Sequence, residues 1–115
     1  GLRLPATALL VANTIADSDP QHDVVTHYKK AYEERYQGSV STFGGYAYDG
    51  LQLAVRAVKK AGSTDPAKVR DALESIQGYV GVTGTYNLSA QDHMGLSYDS
   101  FRILEVKDGH WALAQ

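Results

Sequence analysis

Cysteine is absent from the 115 residues, which removes disulfide staples, thiol catalysis and cysteine-ligated metals together. That absence suits a periplasmic and a cytosolic domain equally. Proline is scarce, at Pro5, Pro20 and Pro66, so little of the chain is barred from helix or strand. No apolar run approaches the roughly 20 residues a bilayer-crossing helix needs. An excess of either charge is also missing, since 11 basic and 13 acidic residues leave a formal net charge of −2. Basic residues pair only at Lys29–Lys30 and Lys59–Lys60, on the outer faces of predicted helices. A nucleic-acid groove would need a basic patch with exposed aromatics between, and none is present. "GLRLPATALLVAN" has one arginine and is broken by Pro5, so it does not read as a signal peptide; the chain is expected to open in the middle of a longer protein.

What is present is glycine and tyrosine. "GYVGVTGTY" places glycine at 78, 81 and 84, and three fixed glycines in seven positions need a reason. A phosphate cradle leaves a strand and opens a helix. Here the order is reversed: "DPAKVRDALESIQ" reads as a helix before the glycines, and valine, threonine and tyrosine favour a strand after them. Gly78 is expected to cap the helix, while Gly81 and Gly84 leave room for close packing.

Along the rest of the chain, "TALLVAN" (7–13) reads as a buried strand. Asp19 and Pro20 open a first helix with Val24, Tyr28, Ala31 and Tyr32 inward, ended by Gly38. "STFGGYAYDGLQLAVRAVKKAG" gives a second, with Ala47, Leu51, Ala54, Val58 and Ala61 at helical spacing, Tyr48 and Val55 widening the stripe, and Gly62 as its stop. Asp65 and Pro66 open a third, burying Val69, Ala72, Leu73 and Ile76. "SAQDHMGL" is a turn, and "SFRILEVKDGHWALA" is a hairpin across Asp108-Gly109. The order strand, three helices, short strand, C-terminal hairpin is an α/β layer packing with few strands of its own.

Candidate chemistry is sparse. His22 and His27 lie five apart on one helix and point in different directions, as surface residues do. Asp92 and His93 beside Gly95 are ordinary turn formers, with a metal site as the rival reading. Ser39, Ser41 and Thr42 lack a His–Asp neighbour to activate a hydroxyl, and Asp71 and Glu74 read as solvent-facing charges. Eight tyrosines are dense, however, and Phe43, Tyr46 and Tyr48 gather where the second helix begins. A helix N-terminus welcomes an anion, and aromatics beside it can stack on a ligand body. Phe43 and Tyr46 are therefore the candidate ligand-binding residues; the rival reading has Tyr48 in the core and Phe43 stapling the helix entry. No catalytic residue, metal or cofactor is expected.

The run "STFGGYAYDGLQLAVRAVKKAGSTDPAKVRDALESIQGYVGVTGTYNLSAQDHMGL" resembles the C-terminal third of type I periplasmic solute-binding proteins of the branched-chain amino acid ABC importers. Carrying the likeness are the aromatic-Gly-Gly-x-Ala-x-Asp helix start from Phe43 to Asp49, "GSTDPAKVRDAL", "GVTGTYNLSAQDHMGL" and the closing "EVKDGHW", joined by "LPATALLVANTIADSDPQ" at the front. The resemblance implies a fragment of a two-lobed periplasmic-binding-protein type I fold, with lobes joined by three crossings. Residues 20–90 would supply first-lobe helices and strand, 96–115 the C-terminal hairpin of the second lobe, and 12–20 and 96–101 two of the crossings. It implies a periplasmic, non-enzymatic carrier for branched-chain amino acids or related small carboxylates, aromatic or aliphatic, working with an ABC permease. Alternatives are a periplasmic ligand-sensing domain of a receptor and a small hydrolase using Asp92 and His93. The family's main clamp residues have no counterpart here, and the isolated chain is expected to self-associate through uncovered helix faces.

Overall fold

The computed structural model describes residues 1–114. Strand β1 (Arg3–Thr7) gives way at once to a 3-10 turn at Ala8–Val11, so the expected strand over 7–13 is corrected. Ala8, Leu9, Val11 and Ala12 are buried as expected, but in a turn; a short apolar run shows that a segment is buried, not which backbone buries it. Pro5 sits inside β1 because β1 is an edge strand, where a missing N–H breaks no second ladder.

Helix α1 (His22–Tyr36) starts two residues later than the proline suggests. The Asp19 carboxylate accepts the Gln21 backbone N–H at 2.8 Å, forming a turn ahead of the helix. Its end falls at Gln37, which takes the left-handed conformation expected of Gly38. Val25 is the fully buried residue of α1; Val24 and Tyr28 pack beside it, and Ala31 faces outward.

Helix α2 (Thr42–Ala61) is capped by Ser41, whose Oγ accepts the Gly44 N–H at 3.2 Å, and stops at Gly62 with φ 58°. The expected inner face is wrong. Gly45, Asp49, Leu53 and Ala57 are buried, whereas Leu51 is 62 % exposed and Ala47, Ala54 and Val55 also face out. The helix is apolar on two sides, and the side with small residues admits the closer neighbours. A Cβ on Gly45 would come within 2.8 Å of Leu9 and 3.1 Å of Thr83. Helix α3 (Pro66–Glu74) is capped by Asp65, which accepts the Lys68 N–H at 3.1 Å, and closes at Ser75. Gly78 is therefore not its cap; it lies beyond, with its N–H donated to the Asn87 side chain.

The expected strand after the glycines is a small hairpin, β2 (Tyr79–Val80) against β3 (Thr85–Tyr86), closed by a Gly81 N–H to Gly84 carbonyl bond. Strands β4 (Phe101–Lys107) and β5 (His110–Leu113) form the expected hairpin, with Asp108 and Gly109 at φ 52° and 78°. They join β1 in an antiparallel sheet ordered β1-β4-β5, in which Leu104 lies opposite both Leu4 and Leu113. Leu9, Val25, Val82 and Leu104 centre one core where turn, helix and sheet meet. Leu53, Tyr86 and Leu88 centre a second, with Leu73 and Ile76 packed on it. Truncating Leu9 or Leu104, both fully buried, to alanine costs about 2–5 kcal/mol.

Candidate ligand-binding site

The glycine loop does cradle an acid, and the acid is the protein's own. Asp49, fully buried on α2, accepts the Val82 N–H at 2.9 Å, the Thr83 N–H at 2.8 Å and the Thr83 hydroxyl. A Cβ on Gly81 would sit 2.6 Å from an Asp49 carboxylate oxygen, and one on Gly84 2.5 Å from the Ser100 hydroxyl. Both glycines are thus close-packing positions, as expected. Asp49 itself escaped the sequence reading. The clue was its spacing, four after Gly45 and four before Leu53, which puts it in a row of small and apolar side chains.

Thr83 has one hydroxyl proton, and Asp49 takes it. The 2.7 Å contact between Thr83 Oγ1 and the Tyr86 hydroxyl is therefore donated by Tyr86. Burial raises the Tyr86 hydroxyl above its ordinary value of 10.0; the bond to Thr83 opposes this and nearby Asp49 adds to it. Gln21, also buried, donates to the Gly81 carbonyl at 2.9 Å and ties the start of α1 to the same loop.

This network fixes the ring of Tyr86 beneath a depression of about 780 Å³, lined by Tyr46, Tyr86, Met94, Leu96, Ser97, Tyr98 and Phe101. The lining is apolar and aromatic with one hydroxyl of serine, and carries no charged side chain. It can take the hydrocarbon body of a small molecule; a charged end would need groups from elsewhere. Tyr46 reaches the depression from the first turns of α2 and is 43 % exposed, while Phe43, one turn earlier, stands 85 % exposed and lies off it. Phe43 does not staple the helix entry. Tyr48 packs against the core, its ring 4.8 Å from that of Tyr28.

The remaining polar candidates serve local structure. Asp92 accepts the N–H groups of Met94 and Gly95, His93 meets Glu74 at 3.0 Å, and Asp71 pairs with Arg70. Asp92 and His93 therefore do not pair with each other. His22 contacts Asp17 and Asp23, and His27 is exposed. Among the described residues no three acidic or histidine side chains gather as metal ligands.

A family model described as periplasmic binding protein matches residues 2–110. The chain belongs to the periplasmic binding protein family. Solved structures agree on the fold. An extracellular ligand-binding receptor from Rhodopseudomonas palustris HaA2 superposes with a TM-score of 0.88 at 23 % identity, over 100 % of this chain and 34 % of its own. A periplasmic binding protein type 1 from Bordetella pertussis Tohama I gives 0.74 at 24 %, over 99 % and 33 %. A Rhodospirillum rubrum protein described as a branched-chain amino acid ABC transporter gives 0.72 at 28 %, over 99 % and 30 %. No curated protein sequence matches the chain. The chain spans about a third of the length of these structures, so its fold is a fragment of the type I architecture. Members of this family bind small-molecule ligands at a periplasmic or extracellular location.

Proposed function

We propose that the chain is part of the substrate-binding component of an ABC importer, taking a branched-chain amino acid or a related small carboxylate in the periplasm. The mechanism is non-covalent. Two lobes close on the solute, and closure is favoured because the solute contacts both. The observation that carries this reading is the family match over residues 2–110, together with the aromatic depression that Tyr46 enters at the opening of α2; Phe43 stands exposed beyond its edge and is proposed as further ligand surface. The 28 % identical Rhodospirillum rubrum relative supports the amino-acid transport assignment. In this reading 20–90 belong to the first lobe and 96–115 to the second, Gln115 lying outside the described residues. That the β1-β4-β5 sheet meets the rest of the chain chiefly through the 3-10 turn at Ala8–Val11 supports that division.

Lobe-forming residues absent from this chain would supply the charged clamp, while Phe43 and Tyr46 supply apolar surface. The test uses the full-length protein in a thermal-shift panel of branched-chain amino acids and of aromatic and aliphatic carboxylates, followed by calorimetry. Phe43→Ala and Tyr46→Ala should each weaken the best solute about tenfold, with the melting temperature of the solute-free protein unchanged. A panel without a binding solute overturns the function. A binding solute indifferent to both substitutions overturns the site.

A further inference from the structure

The β1-β4-β5 sheet meets the rest of the chain chiefly through the 3-10 turn at Ala8–Val11. One ion pair also spans the two parts. Arg102, the second residue of β4, sets Nη2 2.9 Å from Oδ2 of Asp19, which lies in the loop leading to α1. No other ion pair among the described residues joins the sheet to the rest. The pair is well shielded, with 25 % and 17 % of the two side chains exposed. Each partner is also held from its own side. Asp19 Oδ1 accepts the Gln21 N–H, and Arg102 Nη1 donates to the Asp99 carbonyl. Ordering costs that weaken a free surface pair are therefore small here. Together the two side chains line a polar cleft of about 220 Å³ with Gln21, Thr85, Ser97 and Ser100.

We propose that the Arg102–Asp19 pair is a tie across the hinge that sets the resting separation of the lobes before any solute arrives. This rests on the two-lobed reading above, in which 12–20 and 96–101 are crossings. The pair links the end of the first crossing to the residue just past the second. Hinge rotation is absorbed by a few residues at element ends, and twisting one crossing against the other stretches this bond. The arrangement that keeps it is favoured by the bond's net worth, about fivefold in population for a partly shielded pair.

The test needs no solute. These 115 residues hold no cysteine; with any cysteine elsewhere in the full-length protein replaced by serine, Lys59→Cys at the end of α2 and Lys107→Cys at the tip of β4 place the two spin labels. Pulsed electron–electron resonance then reads the distance distribution. Asp19→Asn keeps an oxygen for the Gln21 N–H while giving up the charge, so it preserves the local turn. In Asp19→Asn and in Arg102→Gln the ratio of the two arrangements should shift about fivefold, and the double variant should add nothing to either. A wild-type distribution in Asp19→Asn, or additive effects in the double variant, overturns the tie. Because solute binding is measured separately, failure of the panel above would leave this result standing, and the reverse also holds.

Discussion

Replacing Asp49 by alanine removes the acceptor of three buried donors at once: the Val82 and Thr83 N–H groups and the Thr83 hydroxyl. A buried donor left without a partner costs about 1–3 kcal/mol. Two effects offset that sum. The hydroxyl can turn towards another acceptor, and the cost of holding a carboxyl group away from water disappears. The net loss should be about 3–5 kcal/mol, a large share of the 5–15 kcal/mol that holds a typical domain folded. Urea unfolding of the full-length protein, followed by circular dichroism, measures it through the midpoint at unchanged slope. Thr83→Val should cost about 1–2 kcal/mol and Tyr86→Phe about 1 kcal/mol, each removing a hydroxyl from the relay. Because Asp49 and Thr83 share bonds, the double variant should lose less than the sum. A loss below about 1 kcal/mol in Asp49→Ala, or strict additivity, would refute the claim that the carboxyl group organises the glycine loop.

Acid should weaken the Asp19–Arg102 tie. Burial by itself raises the Asp19 carboxyl, but the Gln21 N–H and the Arg102 guanidinium outweigh it and hold the group below its ordinary value of 3.8. A depressed folded-state value means the stabilisation is complete above that ordinary value and is lost as pH falls through the lower folded one; Asp19→Asn should remove this step from a stability-versus-pH curve. Ser41→Ala should cost about 1 kcal/mol by uncapping α2, read as a lower unfolding midpoint. Gly81→Ala should destabilise whereas Gly50→Ala on α2 should not, because the new methyl at 81 meets the Asp49 carboxyl group while the one at 50 meets open space without a left-handed backbone; equal losses would contradict the packing account. The isolated 115-residue chain, with Leu51 62 % and Val55 40 % exposed on one face of α2, should self-associate in light scattering, and a stable monomer would count against that.

The sequence by itself determined the features whose physics is local. Ser41 and Asp65 cap their helices, Gly62 stops α2, and Asp108-Gly109 turns the last hairpin, each through a bond or a dihedral angle set within four residues. It also carried the order of motifs that the family match over 2–110 bears out. Packing between distant segments decided the rest. The inner face of α2 could not be read because the helix is apolar on two sides, and only the approach of Leu9 and the glycine loop selects the Gly45–Asp49–Leu53–Ala57 row. Asp49, legible only as the end of a family motif, gained its structural role when residues 34 positions away supplied its donors. Arg102 likewise acquired a partner 83 residues earlier. Neither pairing has a local cause, since each forms only when the chain has already brought those segments together.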